Sequence, residues 1–476
     1  MTDKQQLLSD FKFYSSYSKF KKEDERMETW EEAIDRVMQM HYKKYENKIT
    51  PKLQDYLNFA TKQYKEKRIL GSQRALQFGG DSILKHEMKQ FNCLVSYCDR
   101  VEFFKEAMYL LLCGCGVGFS VQTLHVEKLP MIGKRIEGVK TFLIEDSIEG
   151  WADAIGVLLA SYSLSDIKFQ DYYGYRIDFD YSNIRPKGSY ISGGFKAPGY
   201  EGLKNSLTKI QELLDKEING NVQIPLKSII AYDIVMHMAD AVLSGGVRRS
   251  ATICLFSATD NDMHKEKTGD WYIKNPQRGR SNNSVILIRN KTSKELFSKI
   301  MESVKSWGEP GFVWSSNEDI IYNPCVEIGM TPYYIDENEN KISGWEGCNL
   351  TEINGSKCNS EQEFYDACKA SAILGTLQAG YTNFKYVTDV TKKIFDKEAL
   401  LGCSITGFMN NPVILFNPEI QKKGAEIIKE TNKIISLLIG INQAARTTCV
   451  KPSGNASVIL GTASGIHGEH SKKYFR

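Results

Sequence analysis

The sequence predicts an α/β fold with largely parallel strands behind a helical leader. Two observations carry that expectation. The first ninety residues show helical periodicity, and beyond them short β-branched runs alternate with amphipathic helical stretches. In METWEEAIDRVMQMHYKKY the apolar side chains recur at Trp30, Ala33, Ile34, Val37 and Met38, the spacing of one helix face. Thr50-Pro51 then supplies a cap and a first-turn proline for a helix through KLQDYLNFATKQYKEK. Further on, VGFSVQTL, YRIDFDYSNI, SATICLF, NNSVILIR, CSITGFM and ASVILG read as strands. KNSLTKIQELLDKE, SKELFSKIMESVKSW, EQEFYDACKASAILGTLQAGY and EIQKKGAEIIKETNKIISLLIG read as helices. No internal repeat, low-complexity tract or linker interrupts the pattern. The simplest division is a helical region over residues 1–78 and one large domain over 79–476.

Composition excludes several classes of function. The chain has 476 residues, 42% of them hydrophobic and 25% charged, with a net charge of +3. That balance is ordinary for a globular enzyme and too mild for a dedicated nucleic-acid surface. The N-terminus has no apolar stretch behind basic residues, and no run is long and apolar enough to span a membrane, so the cytoplasm is the expected location. Eleven cysteines is a high and odd count. A disulfide framework is not expected in an intracellular chain of this length. No CxxC pair occurs and no histidine lies at finger-like spacing, so no metal site is expected.

The stretch IYNPCVEIGM sets Asn323, Cys325 and Glu327 at alternating positions, which an extended strand would point to one face. An amide, a thiol and a carboxylate would then stand in a row. A neighbouring carboxylate raises a thiol pKa, and no His or Lys is close in sequence to make a thiolate. Ionic nucleophilic chemistry is therefore unattractive. One-electron chemistry remains, with the thiol as a hydrogen-atom carrier, beside the bland alternative of a structural cysteine. The segment CGCGVGFSVQ misses the GxGxxG spacing and precedes a strand instead of following one, so Cys113 and Cys115 read as packing residues at a turn. KPSGNASVILG holds small and hydroxyl residues in a turn that could present backbone N–H groups to phosphate.

Taken in order, FNC, GCGVGFSV, DYSNIRPKGSYISGGF, GGVRRSA, SNNSV, GEPGF, NPCVE, GCNL, KPSG and SGIH resemble the catalytic subunit of ribonucleotide reductase, most closely its adenosylcobalamin-dependent (class II) branch. The resemblance runs over nearly the whole chain. It implies a ten-stranded α/β barrel with Cys325 at the tip of a central loop. It also implies that Cys325 becomes the thiyl radical that takes the 3′ hydrogen of a ribonucleotide. Glu327 would accept the 3′-hydroxyl proton and Asn323 would hold the ribose hydroxyls. Cys93 and Cys348 would supply two reducing equivalents and end turnover as a disulfide. Ser453, Gly454, Asn455 and Ser457 would receive the substrate phosphates. Arg248 and Arg249 would lie on the loop that relays effector identity, with Asp146 and the SNIRPKGSYISGGF segment at the effector site. Asp146 could equally cap a helix, and the arginines could be surface pairs.

The implied cofactor is adenosylcobalamin. The implied partners are a ribonucleotide di- or triphosphate, deoxynucleotide or nucleotide triphosphate effectors and a thioredoxin- or glutaredoxin-type reductant. The short stretch between Ser120 and Ser182 favours a homodimer over a monomer. The chain departs from the family in four places. YYIDENENKISGW reads as a hairpin with a polar tip, an insert similar to the iron-dependent class, which leaves open a radical supplied by a separate metal-containing subunit. Asn455 stands where a threonine is usual. No ATP-cone motif is evident. The sequence ends after SGIH, where family members continue through further barrel residues and a cysteine pair. That leaves a catalytically incomplete nucleotide-binding fragment, or one completed by a C-terminal complementing chain, as the alternative to a self-sufficient enzyme.

Overall fold

The computed structural model describes residues 3–163, 167–190, 196–244, 251–468 and 471. The chain forms two compact units. One comprises residues 93–346 with 386–391, the other residues 1–92, 347–385 and 392–476. The boundary expected at 78/79 does not coincide with a break between units. The leader helices pack instead with a helix from far along the chain.

The unit of residues 93–346 is built on five parallel strands: β1 (Cys93–Tyr97), β2 (Gly116–Ser120), β3 (Thr252–Ser257), β4 (Ser281–Ile288) and β5 (Gly311–Ser315). Their spatial order follows chain order, and the two-residue strand Glu346–Gly347 lies beyond β1. Cys93 is in register with Gly116, Val117 with Thr252 and Thr252 with Ser281. Alternate residues serve alternate faces. Val95, Tyr97, Ile253, Leu255, Ile286 and Ile288 form one hydrophobic cluster, closed by Ile321 and Met330. Those two residues belong to a hairpin, β6 (Ile321–Tyr322) with β7 (Gly329–Met330), that lies over this face. The opposite face meets helices, as Phe119 shows by its contact with Phe103 of the helix Glu102–Leu112. That helix, the helix Ile148–Ala160 and the helix Ser228–Ser244 were not visible as periodic patterns. The last two are apolar nearly all round and lack the polar stripe that periodicity needs, whereas Glu102–Leu112 carries Glu102, Lys105 and Glu106 on one face and is buried from Phe103 to Leu111 all the same.

In the other unit the expected helices form as Trp30–Lys44 and Pro51–Lys65. Thr29 and Glu32 make a reciprocal cap for the first, and Thr50 accepts from Leu53 N–H to cap the second. The long helix Glu361–Ala379 packs against Pro51–Lys65 and Pro418–Ile439. Strand Leu350–Asn354 lies between Gly402–Thr406, parallel, and Ile69–Leu70, antiparallel. One strand expectation fails here: ASVILG is helical, Asn455–Leu460. Its apolar run is too short for periodicity to decide. Packing decides it, through the helix Asp3–Ser16, whose Ser9 hydroxyl donates to the Ile459 carbonyl at 2.6 Å.

The ten-stranded barrel is not what the described strands form. Six join in one sheet and three in another, with two-stranded pairs elsewhere. Ring closure requires two neighbours for every strand, and among the described residues β5 has only β4. The insert at 333–345 does form a hairpin, Tyr333–Ile335 with Lys341–Ser343, its tip held by backbone N–H donation to the Asp336 carboxylate. Among the described residues no helix is long and apolar enough to cross a membrane.

Two buried histidines give the fold a pH dependence. Burial holds His41 and His125 down at about 3, against an ordinary 6.5. Both stay neutral in the folded chain while the unfolded chain protonates them below about 6.5. Stability is therefore expected to fall as pH drops from 6.5 towards 3, by up to about 1.4 kcal/mol per pH unit for each histidine. Urea unfolding between pH 7 and 4 checks this. His41→Asn should flatten the slope, and an unchanged slope would show that His41 does not drive it.

Candidate active site

Cys325 sits at the tip of the β6–β7 hairpin. The expectation of an extended strand is corrected here, because Val326 N–H donates to the Asn323 carbonyl at 2.8 Å and closes a tight turn over Pro324 and Cys325. Proline suits the second position of such a turn. Val326 takes a positive φ of 63°, rare for a β-branched residue. Val326→Gly is expected to relieve about 1 kcal/mol of that strain, part of it offset by the freer unfolded chain. The melting temperature should hold or rise slightly while turnover falls because the turn loosens.

The turn exposes Cys325 and buries its neighbours' polar atoms. Asn323 is fully buried, and its Oδ1 accepts from Ile328 N–H at 3.2 Å. Its Nδ2 is buried without a hydrogen-bond partner, and so is Oε2 of Glu327. Most buried polar atoms are paired, so two such atoms on one turn, either side of an exposed thiol, call for an explanation.

Glycines let this hairpin lie directly on the sheet. A Cβ on Gly118 would stand 2.5 Å from the Tyr322 carbonyl oxygen, and one on Gly116 3.3 Å from both Cys93 Sγ and Pro324 Cγ. Cys93, buried at the start of β1, therefore lies close to the thiol-bearing turn. The base of the hairpin is tied to the other end of the strands. Gln122 Nε2 donates to the Glu318 carbonyl at 3.0 Å, and the Tyr97 hydroxyl donates to the Asp319 carbonyl at 2.5 Å. His125 stacks on Tyr97 at 4.0 Å.

In the same unit Asp146 pairs with Arg185 at 2.5 Å, joining EDSIEGW to SNIRP. Asp146 is not the helix cap. Ser147 is, accepting from Gly150 N–H at 2.9 Å. Arg248 and Arg249 lie outside the described residues. Sequence reasoning missed a buried cluster that links two of the quoted motifs. Asn283 of SNNSV donates to Glu266 at 2.6 Å, and Lys267 pairs with Glu309 of GEPGF at 2.6 Å. Burial pushes the Glu266 carboxyl up to about 7.

The other unit holds Cys348 and the KPSG turn. Cys348 is buried just before strand Leu350–Asn354. Ser453 accepts from Ser457 N–H at 3.0 Å, and the Ser457 hydroxyl donates to the Gly454 carbonyl at 3.0 Å. The space beside Gly454 is open. Asn455 donates its amide to the Tyr17 hydroxyl at 3.1 Å. Also missed was Lys451, which pairs with the buried Glu352 at 3.0 Å. A lysine and a glutamate so far apart in sequence leave no local signal. All eleven cysteines are thiols, and among the described residues no group of three His, Cys, Asp or Glu could hold a metal.

No protein-family model matches the chain. A curated relative from Dictyostelium discoideum, a probable adenosylcobalamin-dependent ribonucleoside-triphosphate reductase, is 29% identical over 355 residues, 70% of this chain and 43% of its own length. The reductases of that name from Lactobacillus delbrueckii subsp. bulgaricus and Euglena gracilis are each 26% identical, over 75% and 79% of this chain. The chain is thus similar in sequence to curated adenosylcobalamin-dependent ribonucleoside-triphosphate reductases. It spans about half the length of those curated relatives, 43–55%. A crystal structure of a B12-dependent class II ribonucleotide reductase superposes with a TM-score of 0.79 at 20% identity. The match covers 97% of this chain and 75% of that one, so the two share their fold.

Proposed function

We propose that this chain carries the active site of a cytoplasmic enzyme that reduces ribonucleotides to 2′-deoxyribonucleotides by thiyl-radical chemistry; its curated relatives are named adenosylcobalamin-dependent ribonucleoside-triphosphate reductases. The observation that carries the reading is the turn itself, an exposed thiol between two buried, unpartnered polar atoms. Asn323 Nδ2 is a donor for a ribose hydroxyl, and Glu327 Oε2 is an acceptor for the 3′-hydroxyl proton. The Cys325 radical takes the 3′ hydrogen atom and returns one at the end. The 2′-hydroxyl leaves as water, and two electrons come from Cys93 and Cys348, which become a disulfide. An external dithiol of the thioredoxin type restores them. Substrate phosphates go to the open side of the turn at Ser453, Gly454, Asn455 and Ser457, and effectors to the region of Asp146. Arg248 and Arg249 keep their proposed relay role. The ten-stranded barrel and the homodimer belong to this proposal as the architecture of the whole enzyme.

Adenosylcobalamin, when bound, supplies the one-electron chemistry that removes the hydrogen atom from the thiol. The exposure of Cys325 fits a radical source that approaches from outside the folded chain. The hairpin Tyr333–Ile335/Lys341–Ser343 keeps a second reading, in which a separate metal-containing subunit is that source. The test is anaerobic turnover of labelled CDP and CTP with dithiothreitol and an effector, with and without adenosylcobalamin. Deoxynucleotide formed only with the cofactor supports the first reading. Product only on adding a metal subunit selects the second. No product under either condition, with a complementing C-terminal chain also supplied, would sink both.

A further inference from the structure

The two glycines beneath the hairpin do more than permit it. We propose that Gly118 and Gly116 are positioning residues that set how deeply the thiol-bearing turn sits on the sheet, and so fix the spacing between Cys93 and Cys325. This deepens the reductase reading and rests on it for its catalytic meaning, though the spacing itself does not.

The two positions act at different points. At Gly118 a Cβ would meet a backbone oxygen, that of Tyr322, at 2.5 Å, with Val95 Cγ1 at 3.0 Å and Ile253 Cγ2 at 3.2 Å on its flanks. A backbone carbonyl cannot rotate aside, and Val95 and Ile253 belong to the packed cluster under the hairpin. Relief must come from lifting β6, and the lift passes through Asn323 and Pro324 to Cys325. At Gly116 a Cβ would touch the Cys93 sulfur and the Pro324 ring, each at 3.3 Å. It would act as a wedge between the first cysteine and the turn that carries the second. Gly116 is in register with Cys93 itself, so the wedge acts at the strand end where the thiol sits. The far end of the hairpin is held by Tyr97 and Gln122, so a lift along β6 becomes a tilt at the tip. Neither glycine has a positive φ, so backbone freedom is not what glycine supplies at these two places. Space is.

The test is thiol bridging by dibromobimane in the full chain, under anaerobic, non-turnover conditions, with the Cys93–Cys325 product followed by peptide mass spectrometry. Gly118→Ala and Gly116→Ala are each expected to slow or abolish that bridge by roughly tenfold or more, and to cut kcat on the order of a hundredfold with KM little changed. Single alkylation of exposed Cys325 should stay at the wild-type rate. Gly116→Ala meets only side-chain atoms at its closest contacts, so it is the milder variant and stands if Gly118→Ala does not fold. Slower bridging in a chain that never makes deoxynucleotide would uphold the positioning role and count against the reductase reading alone. Folded variants that bridge at the wild-type rate would overturn the inference, whatever their turnover.

Discussion

Cys325→Ala is expected to abolish deoxynucleotide formation while leaving the fold intact. In the proposed chemistry every turnover begins and ends with a hydrogen atom on that sulfur, and no other thiol lies in this turn. The loss should be at least about a thousandfold, roughly 4 kcal/mol of barrier. Cys325 is exposed at a hairpin tip, so stability should change by no more than about 0.5 kcal/mol. Cys325→Ser should fail equally, since an O–H bond holds its hydrogen too strongly for this exchange. Labelled nucleotide assays alongside thermal melts check both statements. A variant that still forms product would remove the thiyl radical from the mechanism. A variant that loses product only because it unfolds would show the cysteine to be structural.

Lys451→Met is expected to destabilise the unit that holds it by roughly 3–5 kcal/mol, because it leaves a buried carboxylate without its cation. Burial by itself would lower the Lys451 pKa, but the Glu352 carboxylate beside it raises it above the ordinary lysine value. The pair is nearly inaccessible, with side-chain exposures of 14% and 3%. Breaking such a pair is costly, whereas replacing both partners with apolar groups often is not. Glu352→Leu combined with Lys451→Met should therefore recover most of the lost stability in urea unfolding. Equal destabilisation in the single and double variants would show that packing, not charge, is what the pair supplies. The double variant also separates stability from function. Lys451 opens the KPSG turn, and if its charge also helps to hold substrate phosphate, KM should stay high after stability has returned.

Much of the secondary structure was legible because its signals are local. Trp30, Ala33, Ile34, Val37 and Met38 all turn inward on one helix face, and Thr50-Pro51 starts the next helix where a cap and a first-turn proline dictate. Of NNSVILIR and SATICLF, the stretches NNSVILI and TICLF lie in strands buried along nearly their whole length. ASVILG failed because a short apolar run suits a buried strand and a buried helix equally, and its neighbour Asp3–Ser16 lies at the other end of the sequence. The described strands form open sheets and no closed ten-stranded ring, and strand pairing at the sheet edges depends on partners that composition does not reveal.

The sequence by itself determined which chemistry is available: one stretch with an amide, a thiol and a carboxylate, small residues at a KPSG turn, and motifs in an order shared with a reductase family. Tertiary structure decided how those groups are presented. It replaced an extended strand with a tight turn, exposed Cys325, and buried Asn323 Nδ2 and Glu327 Oε2 without partners. It brought Cys93 close to that turn through two glycines whose spacing had no meaning as a nucleotide loop. It also paired Glu352 with Lys451 and Asp146 with Arg185. The reason is one of range. Periodicity, caps and turn residues act over a few positions and are written locally. Close approach and charge pairing depend on which distant segments share a surface, and only the folded chain settles that.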